Sequence, residues 1–300
     1  MGICDGRVVI VTGAARGLGR AHALAFAAEG AQVVVNDLGV ESDGSGGGSG
    51  PAGELVEEIR SGGGGAIANG ADVADFEQTG ALLAQTLEAF GRLDVVVNNA
   101  GFLRDRMFVS CSEEEWDAVV RVHLKGHFCL ARHAGEYWRN ESKAGRPVDA
   151  RIINTSSGAG LQGSVGQSAY SAAKAGIATL TLNQAAEMGR YGVTANAIAP
   201  SARTRMTEGV FDEMMAKPES GFDAMDPANV SPLVVWLGSA ESREVTGQIF
   251  EVAGGMLSVC DGWRTGPQVE RGERWAPDEV GAALEGLFAK AVPAQKVHGS

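Results

Sequence analysis

The sequence predicts an α/β fold, a doubly wound parallel sheet of about seven strands with helices on both faces. Short runs rich in valine and isoleucine alternate with longer amphipathic stretches along most of the chain. The short runs are apolar throughout, which is typical of parallel strands buried on both faces. Because strand–helix–strand crossovers are right-handed, repeated units of this kind build an open sheet covered on each side.

The elements follow one another in a regular order. The predicted strands are residues 7–12, 31–36, 66–69, 93–98, 151–155, 193–199 and 248–252. The predicted helices are residues 18–29, 53–60, 76–90, 113–138, 168–190 and 227–237. Strand 66–69 has the weakest pattern, and each of the others combines β-branched residues with a following turn.

Two segments depart from this alternation. Residues 41–50 (ESDGSGGGSG) predict a flexible surface insertion between the second strand and its helix. From residue 261 the chain is more polar, and residues 277–290 predict one amphipathic helix followed by a tail. We expect residues 1–260 to form a single domain and residues 261–300 a C-terminal extension. That extension is a lid, a dimer arm or a solvated appendix, and the sequence leaves these three alternatives open.

Composition and charge exclude several classes of protein. The chain has 300 residues, 44% of them hydrophobic and 21% charged, which excludes a wholly disordered or fibrous protein. A net charge of −12 argues against a nucleic-acid or anionic-membrane partner. No apolar run is long enough to span a membrane. Four scattered cysteines predict reduced thiols, no metal site and a cytoplasmic location, and the final residues HGS are not a peroxisomal address.

The first predicted strand runs directly into a glycine-rich turn, and a helix follows. The turn contains Gly13, Arg16, Gly17, Leu18 and Gly19. In this context glycines let the pyrophosphate of a dinucleotide approach the backbone amides and the N-terminus of the helix. We therefore predict a Rossmann-like nicotinamide site formed by these five residues.

An acidic residue at the end of the second strand indicates which dinucleotide binds. Asp37 can accept hydrogen bonds from both adenosine ribose hydroxyls and would repel a 2′-phosphate. Arg16 could contact such a phosphate, but the repulsion from the carboxylate is the larger effect. The sequence thus favours NAD, with NADP as the alternative. Further cofactor contacts are predicted near the ends of later strands, at Asp72, Val73, Asn99, Ala100, Gly101, Pro200 and Thr204, and on a later helix at Tyr170 and Lys174.

Tyr170 and Lys174, in the string YSAAK, are the residues that indicate a proton-transfer site. On a helix they share one face, where an ammonium group stabilises the phenolate and lowers a phenol pKa that is ordinarily near 10. Ser157 follows the fifth predicted strand, where its hydroxyl can hold a substrate oxygen. Beside a nicotinamide, these three side chains suit hydride transfer to or from an alcohol carbon.

Together these motifs resemble the short-chain dehydrogenase/reductase family from about residue 5 to residue 255, through TGAARGLG, NNAG, YSAAK and NAIAP. The strings VVVNDLG, NNAGFLRDRMF, RVHLKGHF, GQSAYSAAKAG and RMTE are similar to one branch. That branch is the (3R)-hydroxyacyl-CoA dehydrogenase unit of peroxisomal multifunctional β-oxidation enzymes, also called 17β-hydroxysteroid dehydrogenases. The resemblance implies NAD-dependent interconversion of (3R)-3-hydroxyacyl-CoA and 3-ketoacyl-CoA, with 17β-hydroxysteroids as a second substrate class. It also implies that Ser157 orients the substrate oxygen, Tyr170 exchanges the proton, and Lys174 lowers that pKa and holds the nicotinamide ribose.

The chain departs from the family pattern in two places. His123 stands where the family usually has an Asn that belongs to a proton relay. A relay role and a packed core histidine are both open for His123. Pro200-Ser201 replaces the usual Pro-Gly, which predicts a differently shaped loop over the nicotinamide. The hydratase portion of the multifunctional enzymes is also missing from these 300 residues.

A CoA thioester requires basic residues near the site, because CoA is strongly anionic. The candidates are Arg104, Arg106, Arg203 and Arg205, although for each one taken singly a solvated or structurally paired arginine is the favoured interpretation. Residues 204–222 contain Met206, Met214 and Met215 and predict a mobile lid over a pocket for an acyl chain or a steroid.

Two other functions are alternatives. One is an NADPH-dependent 3-oxoacyl-(acyl-carrier-protein) reductase, which Arg16 favours and Asp37 disfavours. The other is a non-catalytic NAD-sensing regulator, which has no need of Ser157, Tyr170 and Lys174. We expect a homodimer or homotetramer that associates through helices 113–138 and 168–190, as the resemblance implies. Acyl-chain length, thioester or steroid preference and physiological direction are open.

Overall fold

The strands of the computed structural model form a single sheet, and the structure describes residues 2–39, 50–204 and 217–300. The strands are β1 (Val8–Thr12), β2 (Gln32–Asn36), β3 (Gly65–Asn69), β4 (Val95–Asn98), β5 (Ala150–Thr155), β6 (Val193–Ser201), β7 (Ile249–Ala253) and β8 (Met256–Val259). Their order is β3-β2-β1-β4-β5-β6-β7-β8, and only β8, which pairs with β7, runs antiparallel to its neighbour. The connections change direction between β1 and β4, and the crevice at the carboxyl ends of these strands is where open α/β sheets bind ligands.

Helices cover both faces of the sheet. In the described ranges they are α1 (Gly17–Ala28), α2 (Gly50–Ser61), α3 (Phe76–Phe90), α4 (Glu113–Val120), α5 (Gly126–Lys143), α6 (Gly158–Gln162), α7 (Ser168–Met188), α8 (Ser231–Gly238) and α9 (Pro277–Phe288). A π-helical turn, Arg121–Lys125, joins α4 to α5. Helices α1, α2 and α8 pack on one face, and α3, α5 and α7 pack on the other.

Alternation along the strands builds two separate cores. In β1, Val9 and Val11 point to the face covered by α1, whereas Ile10 points to the opposite face. Trp138 of α5 is buried in the second core, where its indole N–H donates to the Leu93 carbonyl over 2.7 Å. Continuous apolar strands therefore bury both faces, as the pattern of the sequence predicts.

All seven predicted strands are present, each within two residues of its predicted ends. The eighth strand, β8, was not predicted, because it is only four residues long and all four are exposed, so no buried face shows in its sequence. It returns along β7 after Gly254, whose φ of 53° makes the turn. Within the described ranges the sheet thus has eight strands instead of about seven, and its last strand is antiparallel.

The helices differ from the prediction mainly at their ends. The predicted helix 113–138 is divided by the π-helical turn and continues to Lys143. Helix 227–237 begins as a 3-10 turn, Pro227–Val230. Helix α6 was not predicted, because five residues are too few to show a period. The insertion at 41–50, apart from Gly50 at the start of α2, and the lid residues Arg205, Met206, Met214 and Met215 lie outside the described residues.

The C-terminal extension contains the predicted helix, α9, and a returning tail. The Val165 amide donates to the His298 carbonyl over 2.9 Å, and the His298 amide donates to the Gly163 carbonyl over 3.2 Å. The tail therefore pairs with the segment between α6 and α7. Among the described residues, the buried hydrophobic core ends at Val252, and the division of the chain at residue 260 stays a prediction. None of the helices in the described ranges has the length and apolarity to cross a membrane.

Candidate active site

A glycine cradle lies at the carboxyl end of β1. Gly13 and Gly17 have φ values of 61° and 53°, a conformation that residues with a side chain rarely adopt. A Cβ atom on Gly19 would lie 2.1 Å from the Gly13 carbonyl oxygen, so the first turn of α1 packs directly on the loop. Leu18 packs at the edge of the core and Arg16 is exposed. This cradle has the open backbone and helix N-terminus that a pyrophosphate requires.

The end of β4 braces the cradle. The Asn99 side-chain amide donates to the carbonyls of Thr12 and Gly13 over 3.0 and 3.2 Å. The Thr12 hydroxyl accepts the amides of Asn99 and Ala100 over 2.9 and 3.1 Å. A Cβ on Gly13 would lie 2.8 Å from the Ala100 Cα. Asn99 thus shapes the loop through its side chain, and Thr12, which the sequence reasoning missed, contributes equally.

Asp37 is tied to the glycine cradle. Its Oδ2 accepts the Ala15 amide over 2.9 Å, and its Oδ1 accepts the Gly39 amide over 2.7 Å. These contacts hold a carboxylate charge beside the loop, where the second strand ends. The sequence placed Asp37 at this edge, but its bond to the loop depends on a pairing between β1 and β2 that only the fold provides.

The other predicted cofactor residues surround the same crevice. Asp72 forms an ion pair with Arg121 of the π-helical turn. Val73 is buried against Gly126. A Cβ atom added to Gly126 would lie 2.9 Å from a methyl group of Val73. The Thr204 methyl would lie 3.4 Å from a Cβ on Gly17, which places Thr204 beside the cradle.

The segment Pro200-Ser201 continues a strand. Pro200 and Ser201 pair with Val252 and Ala253 of β7, so β6 runs on through the point where the family usually has Pro-Gly. The backbone there is extended strand, and the chain departs from the sheet only after Ser201. The predicted difference in loop shape concerns residues that lie in part outside the described ranges.

Ser157, Tyr170, Lys174 and His123 come together beside the cradle. Ser157 follows β5 and caps α6, where its hydroxyl accepts the Ala159 amide over 3.2 Å, and it lies close enough to Tyr170 to lower the pKa of the phenol. The Lys174 ammonium lies 5.5 Å from the centre of the Tyr170 ring. The His123 ring meets the same ring edge-on at 5.2 Å between centres. The fold thus assembles all four residues that the sequence singled out as catalytic candidates.

The protonation states of Tyr170 and Lys174 differ from the expectation. Burial raises the pKa of Tyr170, the hydrogen bond with Ser157 lowers it, and the charge of Asp105 raises it. Burial lowers the pKa of Lys174 to about 7. The ammonium donates to the Thr155 carbonyl over 2.7 Å. The net shift of the Tyr170 pKa is therefore upward, because burial is its largest cause, and the lowering of this pKa by Lys174 stays a prediction.

His123 is buried within the π-helical turn. Its Nε2 lies 2.7 Å from the Phe102 carbonyl oxygen and 3.2 Å from the Phe102 amide. Burial and the charge of Lys174 lower the pKa of His123 to about 3, so the ring is neutral. Its Nδ1 is buried and has no hydrogen-bond partner among the described residues. A Cβ on Gly101 would lie 2.3 Å from the ring, so glycine at this position makes room for the histidine.

Two of the four candidate arginines are ion-paired within the chain. Arg106 Nε lies 3.0 Å from a carboxylate oxygen of Glu115, and its amide donates to the Gly166 carbonyl over 2.7 Å. Arg203 pairs with Asp223. Structural pairing therefore accounts for both side chains.

Of the remaining two arginines, the structure describes Arg104 but not Arg205. Arg104 is exposed, and its guanidinium lies 5.8 Å above the centre of the Phe102 ring. Arg205 lies outside the described residues. Arg104 and Arg106 are thus the two candidates that are exposed in the described residues, and Arg203 is partly buried.

Buried neutral histidines make stability dependent on pH. Burial lowers the pKa of His22 and His123 to about 3 and that of His127 well below its ordinary 6.5. Below pH 6.5 the unfolded chain binds protons that the folded chain does not, so stability falls as the pH decreases. Each histidine costs up to about 1.4 kcal/mol per pH unit over that interval.

The test is urea denaturation between about pH 7 and pH 5, comparing the protein with a His22→Asn variant. His22 lies away from the site, with its Nδ1 2.9 Å from the Ser231 hydroxyl. We expect a smaller slope of unfolding free energy against pH in the variant. An identical slope in both proteins would contradict the assignment.

Comparisons with known proteins place the chain in a family. The short chain dehydrogenase family model matches residues 7–214. The chain is 45% identical over 302 residues to hydroxyacyl-CoA dehydrogenase ChsB1 of Mycobacterium tuberculosis, covering 97% of this chain and 91% of that protein. It is 48% identical over 262 residues to peroxisomal multifunctional enzyme type 2 of Mus musculus, covering 87% of this chain and 33% of that longer protein.

A solved structure agrees along the whole length. The crystal structure of a short chain dehydrogenase from Mycobacterium avium has a TM-score of 0.90 and 64% identity, covering 100% of both chains. These matches confirm the resemblance that the glycine turn and the YSAAK string indicated. The chain belongs to the short-chain dehydrogenase family, as an oxidoreductase that acts on CH–OH groups with a nicotinamide cofactor.

Proposed function

We propose that this protein interconverts (3R)-3-hydroxyacyl-CoA and 3-ketoacyl-CoA with NAD. The observation that carries the proposal is the convergence of Ser157, Tyr170, Lys174 and His123 beside the glycine cradle. The similarity to a protein named hydroxyacyl-CoA dehydrogenase supports the substrate class. Arg104 adds an exposed positive charge over Phe102, whose cluster includes Tyr170, and this suits an anionic thioester.

The cradle fits a dinucleotide. The positive φ of Gly13 and Gly17 and the contact of Gly19 with the loop leave the backbone open at the N-terminus of α1. Asp37 would bind the hydroxyls of the adenosine ribose, and Lys174 would bind the nicotinamide ribose. When bound, the oxidised nicotinamide supplies a hydride acceptor and a positive charge that favours ionisation of nearby acids.

The proton is handled by the chain's own residues. Ser157 orients the substrate oxygen, and Tyr170, ionised to the phenolate, takes the hydroxyl proton of the alcohol as the alcohol becomes a ketone. Lys174, with a pKa near 7, exchanges protons readily at neutral pH while the Thr155 carbonyl fixes its position. The unpartnered Nδ1 of neutral His123 offers an acceptor beside Tyr170, which supports a relay role for this residue.

The substrate is tested by NAD reduction with a medium-chain (3R)-3-hydroxyacyl-CoA, its (3S) isomer and a 17β-hydroxysteroid in parallel. We expect the (3R) thioester to have the highest kcat/KM. Turnover of the steroid alone, or of the (3S) isomer, would overturn the substrate assignment while leaving the family in place.

Preference for NAD rests on the charge of Asp37. In Asp37→Asn the shape is kept and the repulsion of a 2′-phosphate is removed. We expect the ratio of kcat/KM for NAD to that for NADP to fall by at least about tenfold, which corresponds to about 1.4 kcal/mol. An unchanged ratio would assign the selectivity to other residues.

We further propose a homodimer or homotetramer, because α4, α5 and α7 expose the large side chains Trp116, Phe128 and Leu182. Light scattering is the measurement, and a 31.0 kDa species would contradict the proposal. We also propose a cytoplasmic location, consistent with cysteines that are all unpaired. The net charge of −12 supports a small-molecule substrate over a nucleic-acid partner.

A further inference from the structure

The loop after β4 is fastened to the segment that leads into α7. The Arg106 amide donates to the Gly166 carbonyl over 2.7 Å, and Arg106 and Gln167 form an isolated parallel bridge. Arg106 is also held by its ion pair with Glu115 of α4. The two segments therefore meet immediately before the first turn of the helix that carries Tyr170.

Asp105 forms the side-chain contact at this junction. Its Oδ2 accepts the Gln167 side-chain amide over 2.9 Å. Gln167 occupies the N-cap position of α7 and makes no capping bond with its side chain, because that side chain is turned to Asp105. The other oxygen of Asp105, Oδ1, is buried and has no hydrogen-bond partner in the described ranges. Burial raises the pKa of the Asp105 carboxyl, and the bond from Gln167 lowers it. A carboxylate held at this junction with one oxygen unpartnered calls for an explanation.

We propose that Asp105 is a positioning residue for proton transfer at Tyr170: it fixes the first turn of α7 and places a negative charge near the phenol. The inference rests on the proposed function for its catalytic consequence, but its electrostatic part is independent of any substrate.

The charged groups around the Tyr170 phenol determine in which direction a change at Asp105 shifts its pKa. The buried ammonium of Lys174 lies 5.5 Å from the ring centre, and His123 is neutral. Arg106 is neutralised by Glu115. Burial raises the pKa of Tyr170, and the charge of Asp105 adds to this upward shift, so both disfavour the phenolate. Removal of the Asp105 charge should therefore make the phenol a stronger acid.

Two variants separate the charge from the hydrogen bond. Asp105→Asn keeps an oxygen that can accept the Gln167 amide but removes the charge. Gln167→Met removes the bond and keeps the carboxylate. Asp117→Asn, which changes an exposed carboxylate of α4, is the control for a lost unit of net charge.

In the oxidation direction, activity rises with pH as the phenol ionises. We expect Asp105→Asn to move this rise to lower pH by about half a unit or more, since nearby charges shift a pKa by that order or above. Gln167→Met should instead lower kcat at every pH, and Asp117→Asn should change neither quantity. A wild-type profile for Asp105→Asn, or an equal shift in Asp117→Asn, would overturn the proposal.

A second measurement does not depend on turnover. The chain has only three tyrosines, so ultraviolet difference titration with Tyr170→Phe as the reference isolates the ionisation of Tyr170. We expect Asp105→Asn to lower that pKa, and an unchanged titration would overturn the inference. If no thioester is turned over yet the titration shifts, the proposed function fails and the role of Asp105 stands.

Discussion

The Tyr170→Phe variant should lose about 10³-fold in kcat, because general acid–base catalysis by a positioned side chain contributes about that much. The phenylalanine ring keeps the contacts with His123 and Lys174 and removes only the hydroxyl that faces Ser157. Affinity for NAD, measured by calorimetry, should stay within about twofold of the unmodified protein.

Tyr191→Phe is the matched control. Tyr191 lies in the 3-10 turn after α7, with the Arg190 guanidinium 4.8 Å from its ring centre, and it has no place in the site. We expect this variant to keep its activity. If Tyr170→Phe kept more than about a tenth of kcat, another group would have to move the proton.

Gly19→Ala should abolish tight cofactor binding. The new methyl carbon would lie 2.1 Å from the Gly13 carbonyl oxygen and 2.7 Å from the Asn99 side-chain nitrogen. Both neighbours belong to the cradle, so relief of the overlap must distort the surface that receives the pyrophosphate. We expect the Kd for NAD to rise by at least about 100-fold, or about 2.7 kcal/mol, with a lower Tm.

Gly53→Ala shows what the same change does elsewhere. Gly53 lies in α2, and a Cβ there would meet no atom within 4 Å. Alanine should stabilise this helix by about 0.5–1 kcal/mol and leave NAD affinity unchanged. Unaltered binding in Gly19→Ala would show that the loop can yield, which the contact with a backbone carbonyl argues against.

Local patterns were enough to predict the cradle and the pairing of Tyr170 with Lys174. Both depend on neighbours within a few residues, so spacing alone places them. The environment of these groups was not predictable in the same way. Burial shifts the pKa of Tyr170 upward, whereas the sequence led us to expect a downward shift. That burial arises from contacts between distant parts of the chain.

Tertiary contacts also explain the features that the sequence did not reveal. The bond between Asp105 and Gln167 joins residues 62 positions apart. The bond from Ala15 to Asp37 needs β1 beside β2. Strand β8 is stabilised by its pairing with β7 and not by an apolar face of its own, so its composition gave no signal.

The π-helical turn Arg121–Lys125 limits which changes in chain length the protein can accept. Such a turn holds one residue more than the regular helix, and each residue of a helix turns the chain by about 100°. Because the wide turn absorbs this residue, deleting one residue there would leave α4 and α5 in phase but would change the positions of the side chains within the turn. Val119 of α4 would keep its contacts with Phe102 and Ala169, whereas His123, which lies inside the turn, would leave the side of Tyr170. The extra residue therefore places His123 against Tyr170 and is not needed for the packing of α4 and α5.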